Sequence, residues 1–544
     1  MKIVSFLIVA VLLVLLSYPC RASLLNTICS STPYPTYCKS TLSGNNSENV
    51  FDYGTRSLRK SLFQSQKFLN LINKYISRRW NLSIGAIRAL QDCQSMAAQN
   101  TDILLHSLMA VHGTAGGLNA LQAADVQTLL TALLTNLQTC QDGLRETSSS
   151  WIIQNGISAP LSNDSKLYSV SLALFTRGWV NKMKKKAHVK SLPYGDGRWV
   201  PSTAGEAKSI SDNKVLLTAG SDLVKANGVY TVSQDGTGNF TTITDALEAS
   251  PSNLDGSNGY FMIYIRAGVY EEYVSIGRNK TYLMLVGDGI GSTIITGNRS
   301  VVDGWTTFRS ATFSVTGSHF VAVNITIRNT AGPWKHQAVA LRNGADYSIF
   351  FGCSFEGYQD TLYAHSLRQF YRNCDIYGTV DFIFGNAAAV FQECNMYARL
   401  PLSDQCIAIT AQSRSDPNQN SGITIQDCVI KPAGDLASSG LSFPTYLGRP
   451  WNMYSRTVYM QSFIDGFIDP SGWRDWNGTG LATTTVYYAE YNNTGPGSDL
   501  SRRVNWAGYH VLTELQANNF TASNFVLGDT WIPPSGVPYT ASLY

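Results

Sequence analysis

Two kinds of hydrophobic periodicity divide this chain. From residue 24 to about 175, apolar residues recur at three- and four-residue steps, as in "SLRKSLFQSQKFLNLINKYI" and "ADVQTLLTALLTNLQTCQDGL", with few prolines or glycines. That spacing puts the apolar side chains on one helix face and predicts an all-α antiparallel four-helix bundle. From about 176 to 225 the pattern dissolves into "NKMKKKAHVKSLPYGDGRWVPSTAGEAKSISDNK", which reads as a linker. After Tyr230 short runs rich in Val, Ile, Phe and Thr alternate between Gly and Asn turns, as in "YFMIYIRAGVY" and "FVAVNITIRNT". These predict strands.

The strand half repeats itself. "FFGCSFEG", "RNCDIYG", "QECNMYA" and "IQDCVIKP" share one order of residue types around Cys353, Cys374, Cys394 and Cys428. The first two intervals are 21 and 20 residues, and the third is longer by an insertion. A repeat of this length built from short strands, without helices between them, predicts an all-β parallel β-helix. A leucine-rich repeat would need a Leu and Asn pattern that is missing. A β-sandwich would not need the constant period.

Stacking brings polar residues together. Residues one period apart lie roughly 4.8 Å apart along a solenoid axis. Asp360 and Asp381 are 21 apart, and Gln337 and Gln359 are 22 apart, so three coils place two carboxylates and two amides in one patch. Any one of these alone is more often a structural hydrogen-bonding group. Two close carboxylates resist joint ionisation, which leaves one acid and one ionised nucleophile or base. Amide side chains beside them can donate to an oxyanion. "YLGRPW" adds Arg449, a fork for a carboxylate, and Trp451, a flat face for a sugar ring. Together they suit an extended polysaccharide. Ester hydrolysis and glycosidic cleavage both remain open on spacing alone. No Ser–His nucleophile elbow and no metal-ligand spacing occur, so neither a metal nor an organic cofactor is expected. His336 and His365 lie near the patch and read as structural.

Composition narrows the setting. A net charge of +4 without a dense basic, aromatic-interleaved stripe gives no argument for nucleic acid. "MKIVSFLIVAVLLVLLSYPCRAS" reads as a secretory signal cut near Ala22, its apolar run being shorter than a membrane span. No later segment crosses a bilayer, so no membrane partner is expected. Ten Asn-x-Ser/Thr sequons suit a secreted glycoprotein, in which cysteines pair. Cys29–Cys38 and Cys93–Cys140 are the expected bridges of the helical half. Cys374 and Cys394, flanking Asp381 on adjacent coils, are expected to form a third, while Cys353, Cys406 and Cys428 read as small core residues. The expected organisation is a signal at 1–22, a helical unit at 23–175, a linker at 176–227 and the β-helix at 228–544.

"AGVYEE", "HQAVALR", "GYQDTLY", "DFIFGN" and "LGRPW", in that order, resemble the marker segments of plant pectin methylesterases. The helical half, with "CSSTPYPTYC" and two further cysteines, resembles the inhibitor domain that forms a pro-region in many of them. The resemblance implies a right-handed β-helix and a cell-wall pectin substrate. It makes Asp381 the nucleophile, Asp360 the general acid and base, and Gln337 and Gln359 the oxyanion donors. It further implies that Arg449 orients Asp381 and that Thr307 and Trp451 line the sugar site. The pro-region, separate inhibitor proteins and a processing protease are the implied partners. One segment departs from the family pattern: the dibasic site before the catalytic domain reads "DNKVLL" (212–217), leaving "KMKKKAHVK" (182–190) as a substitute.

Overall fold

The computed structural model describes residues 24–43, 49–78, 82–112, 117–147, 151–181, 214–215, 224–476, 478, 480 and 482–544. The expected signal, the basic run 182–190 and all of "DNKVLL" except Lys214 and Val215 lie outside them. Two short helices, Leu24–Cys29 and Pro35–Leu42, precede four long ones at Val50–Ser77, Ile84–Val111, Ala120–Glu146 and Trp151–Phe175. The long helices begin where the sequence supplies caps. Asn49 and Asp52 form a reciprocal capping box, as do Asn119 and Gln122, and the Ser83 side chain accepts from Ala86 N. Their apolar faces meet in a core containing Leu58, Leu90, Leu133 and Leu172, all fully buried. Cys29 is bonded to Cys38, and Cys93 to Cys140. Among the described residues no helix is long and apolar enough to cross a membrane.

The strand half winds into three sheets of twelve, eight and seven strands, parallel throughout except where Lys214–Val215 runs antiparallel to Val224–Val232. From Tyr260–Ile265 to Thr445–Gly448 each coil contributes one strand to each sheet, which makes a parallel β-helix. Register is kept rung to rung: Ser354 pairs with Asp375, Asp375 with Asn395, and Asn395 with Val429. Identical inward positions therefore stack. Phe350, Tyr371 and Phe391 occupy successive rungs with ring centroids 5.3 and 4.5 Å apart and nearly parallel planes. Such pairs add about 0.5–1.5 kcal/mol each beyond the area they bury.

The corners explain the repeated phrase. The residue before each ladder cysteine has a left-handed backbone: Gly352 (φ 60°), Asn373 (50°), Glu393 (52°) and Asp427 (53°). That conformation turns the chain from one sheet to the next and points the following cysteine into the coil. Cys353, Cys374, Cys394 and Cys428 are free, buried thiols. The bridge expected between Cys374 and Cys394 is absent. In-register parallel strands hold neighbouring side chains side by side at the strand spacing, whereas a disulfide needs Cβ atoms about 3.8 Å apart and turned towards one another. Each thiol instead faces backbone carbonyls: Cys374 donates to Phe350 O (3.4 Å) and Arg372 O (3.3 Å), Cys394 to Gln392 O (3.3 Å). Cys406, expected among these core thiols, lies outside the ladder and is half-buried. In a chain without the expected signal, which carries Cys20, thiol titration without reductant should find Cys406 reactive in the native protein and five thiols reactive after unfolding. Three after unfolding would restore the third bridge.

Candidate active site

The outer face of the seven-stranded sheet forms the floor of the site. One register row crosses it: Ser275, Ser314, Arg342, Tyr363, Phe384 and Ala411. Their neighbours Leu341, Leu362 and Ile383 point the other way, into the coil interior. Alternation along each strand thus sends the apolar residue inward and the aromatic or charged one outward. Tyr363 and Phe384 stack with centroids 4.2 Å apart, and Trp451 tilts against both.

Asp360 and Asp381 sit at the corners that lead into this sheet, two residues before Leu362 and Ile383, which pair. Both have left-handed backbones, φ 63° and 53°. Aspartate tolerates that region better than most residues, and the turn lifts each carboxylate onto the floor's edge. Asp360 N donates to Val380 O (3.0 Å), tying one corner to the other. Gly385 is fixed by space: a Cβ there would lie 2.1 Å from Ala364 O, which accounts for the glycine of "DFIFGN".

Charge separates the two carboxylates. Arg449 Nε and Nη2 donate to the two Asp381 oxygens, each at 2.7 Å. This bidentate pair is held by Arg449 N donating to Thr410 O, and the guanidinium lies 4.3 Å from the Trp476 ring centroid. Burial raises the Asp381 pKa, while the Arg449 hydrogen bonds and charge act against the rise. Asp360 is raised well above the usual range by burial, then by Asp381 and Glu146. Of the two, Asp360 is the one that keeps a proton. Burial would lower Arg449, but the Asp381 pair outweighs it and keeps the guanidinium charged.

A cavity of about 360 Å³ collects Thr307, Gln337, Gln359, Asp360, Asp381, Arg449 and Trp451, all the candidates read from the sequence. It also contains Phe308, Tyr363, Phe384 and Trp476. The period did carry Tyr363 and Phe384, which lie 21 apart, whereas Phe308, in the short 3-10 helix Thr307–Arg309, and Trp476, in a loop, carry no periodic signal. His365 is buried, hydrogen-bonded to Ser366 and to Thr139 (2.9 Å each), and pushed down to about 3 by burial, so it is neutral. Among the described residues no group of His, Cys, Asp or Glu could hold a metal ion.

The roof of the cavity comes from the other half of the chain. Thr139, Asp142, Gly143, Arg145 and Glu146, on the helix Ala120–Glu146, line it opposite the aspartates. The Glu146 carboxylate accepts from Thr307 N (2.9 Å) and Thr307 Oγ1 (2.8 Å). Burial raises Glu146, and it pushes Asp142 up to about 7, with one Asp142 oxygen buried and unpartnered. Further along the seam Asp125 accepts from Arg368 and from Tyr347, both at 2.7 Å, and Asn386 donates to Thr135 (2.9 Å).

Comparison with known proteins agrees with both halves. Residues 229–529 match the family described as pectinesterase, and residues 23–174 that described as plant invertase/pectin methylesterase inhibitor. The chain is 55% identical over 551 aligned positions, 95% of each protein, to "Probable pectinesterase/pectinesterase inhibitor 7" of Arabidopsis thaliana. It is 49% identical to "Pectinesterase 2" of Citrus sinensis over 77% of this chain and 76% of that one. The solved structure of pectin methylesterase from carrot is 49% identical and superposes with a TM-score of 0.56, covering 58% of this chain and 98% of the carrot chain. The carrot chain thus corresponds in length to the β-helix half alone. With a β-helix whose floor carries an Arg-paired aspartate and a helical bundle closed over it, the chain belongs to the pectinesterase family and carries an inhibitor-family domain at its N-terminal end.

Proposed function

We propose that the β-helix hydrolyses the C6 methyl esters of homogalacturonan in the plant cell wall, and that the helical domain holds it inactive until the linker is cut. The observation that carries the chemistry is the pairing of Asp381 with Arg449 beside Asp360, whose carboxyl is held well above the usual range by burial and by Asp381. The ionised Asp381 oxygen attacks the ester carbonyl carbon. The side-chain amides of Gln337 and Gln359 donate to the oxyanion that forms. Asp360 gives its proton to the departing methoxide, so methanol leaves and an acyl-Asp381 anhydride remains. Asp360, now ionised, takes a proton from water. The hydroxide attacks the same carbonyl, freeing Asp381 as its carboxylate and the galacturonic acid, which gives its proton to solvent. Thr307 and Trp451 border the sugar.

Secretion, glycosylation at the sequons and a processing protease belong to the same proposal. A β-helix polygalacturonase would also use paired carboxylates, but it would cut the chain. Methanol and new reducing ends, measured together on methylated pectin, separate the two, and reducing ends without methanol would refute the esterase.

Asp381→Asn should lower kcat by at least about 10³-fold with pectin still bound, because the nucleophilic charge is lost while shape is kept. Asp360→Asn should lose about 10²–10⁴-fold, mainly in methanol departure. Retention of most activity by Asp381→Asn would overturn the assignment.

The intact chain should release far less methanol per folded molecule than a chain beginning near Thr218. A tethered domain closes its own cleft at high effective concentration even when the free domains bind weakly. Equal rates would reject autoinhibition and leave the bundle a role in folding or export.

Closure should also weaken as pH rises. Asp142, Glu146 and Asp360 pack together under the roof with raised pKa values, and Arg145 and Arg449 are the cations acting on them. A freely exposed carboxyl titrates near about 4. Docking therefore takes up protons, is fullest below that value, and is lost as pH climbs towards the raised value of about 7 at Asp142. The activity ratio of intact chain to isolated β-helix should increase across this window, and Asp142→Asn should flatten the increase. A ratio independent of pH would exclude these carboxyls as the latch.

A further inference from the structure

Next to the catalytic cavity, and separated from it by Phe308, lies a second cavity of about 320 Å³. Three arginines face it, Arg299, Arg309 and Arg342, while Asp92 is the single carboxylate among its described lining residues. The arginines belong to the β-helix half and Asp92 to the helical half. Asp92 is fully buried, pairs with Arg309 Nε, and accepts from Thr306 Oγ1 (2.6 Å).

Arg342 is the unusual member. It lies on the catalytic floor, one rung from Tyr363, with its guanidinium carbon 3.6 Å from the Phe308 ring centroid. Its Nε is buried without a hydrogen-bond partner. Burial lowers its pKa, to about 10, so it remains charged at neutral pH. A buried guanidinium carries several kcal/mol of desolvation cost unless a carboxylate or phosphate compensates it. Among the described residues no carboxylate of the β-helix pairs with it, and Asp92, the carboxylate that acts on it, already pairs with Arg309. Arg299 is sandwiched between Tyr273 and Trp305, with its guanidinium carbon 3.5 and 3.9 Å from their ring centroids, and the Arg88 guanidinium carbon lies 3.5 Å from the Trp305 centroid.

If the helical domain departs, Asp92 leaves with it. Three positive charges then line the floor beside the reacting ester, without a protein carboxylate among them. The polymer proposed above carries two kinds of C6 group, neutral methyl esters and the carboxylates left by earlier turnovers. Only the second matches this patch.

We propose that Arg309 and Arg342 form a subsite for a de-esterified galacturonate carboxylate adjoining the catalytic cavity, and that Asp92 occupies it in the closed chain as an internal stand-in. This rests on the pectin-ester reading of the neighbouring cavity. The enzyme then works best on an ester that already has a free acid for a near neighbour on the Arg342 side. Arg342 acts as a specificity residue, since it binds the polymer away from the reacting atoms.

The test uses the isolated β-helix, wild type and with Arg342→Gln, Arg342→Lys or Arg309→Gln. Calorimetry with a fully de-esterified oligogalacturonate reads the subsite without turnover. Each Gln variant should bind it about tenfold or more weakly, the loss expected for a charge-assisted hydrogen bond, and Arg342→Lys should recover part of the affinity. On pectins matched in ester concentration, the kcat/KM ratio of partly to highly methylated substrate should fall by a similar factor in the Gln variants, mainly through KM. Arg309 is one-third exposed, so Arg309→Gln provides a readout even where Arg342→Gln fails to fold. Unchanged affinity and ratio in folded Gln variants, or no wild-type binding of the de-esterified chain, would overturn the subsite. Arginine-dependent binding without methanol release from any pectin would leave the subsite standing and overturn the esterase reading instead.

Discussion

Everything in the catalytic half follows from one constraint: successive coils stack in register. A parallel ladder forces residues one period apart to share an environment, so a position suited to one coil must suit its neighbours. Inside, the result is the Phe350–Tyr371–Phe391 ring stack and the row of thiols. Outside, it is the row from Ser275 to Ala411 that serves as a floor. At the corner before the ladder thiols it is a left-handed residue on coil after coil, and at the corner leading into the floor Asp360 and Asp381 share that backbone on two adjacent coils. The catalytic pair is thus a corner position that was given a carboxylate twice. Its placement depends on the same hydrogen bonds that hold the coils together, which makes the site as rigid as the solenoid.

Rigidity of this kind accounts for what the sequence revealed. A period of about 21 residues predicted the β-helix, and it also predicted that Gln337, Gln359, Asp360 and Asp381 meet, because in a solenoid sequence distance converts directly into height. Helical periodicity with capping residues located the bundle in the same way. The failures are equally physical. The period places Cys374 and Cys394 one above the other, but adjacency is not bonding: parallel strands keep the two side chains alongside each other, and the thiols turn to backbone carbonyls instead. Phe308 comes from a short 3-10 helix and Trp476 from a loop, where no period applies. The Arg449–Asp381 contact spans 68 residues, so the family resemblance rather than spacing pointed to it.

The seam between the halves was the least legible part. Neither Glu146 nor Asp92 belongs to any repeat, and on an amphipathic helix a charge usually means a solvated face. Here Asp92 is buried against the β-helix, and Glu146 reaches across to it. Glu146 accepts both the backbone and side-chain protons of Thr307, and Asp92 pairs with Arg309. Such contacts become visible only when both domains are in place, because each helix sequence is compatible with exposure.

Seen from the cleft, the helical domain supplies carboxylates where a galacturonate polymer would supply them. Glu146 approaches the reacting pair closely enough to raise Asp360, and Asp92 sits among arginines one cavity away. A protein surface that competes with a polyanion must either clash with its binding groups or imitate their ligand. Clash would leave the arginines buried and uncompensated, at a cost of several kcal/mol each. Imitation removes that cost by lending the cleft a negative charge. It also has a consequence: the loan is protonatable. Burial raises Asp142, Glu146 and Asp92 together, so the charges that make the imitation work are held near the edge of ionisation. The three shifts have the same sign, so each carboxyl holds its proton more tightly in the closed chain than in the open one, and closure is fullest at low pH and weakens as pH climbs towards the raised values. Protonating Asp142, which has an unpartnered oxygen, relieves a buried charge.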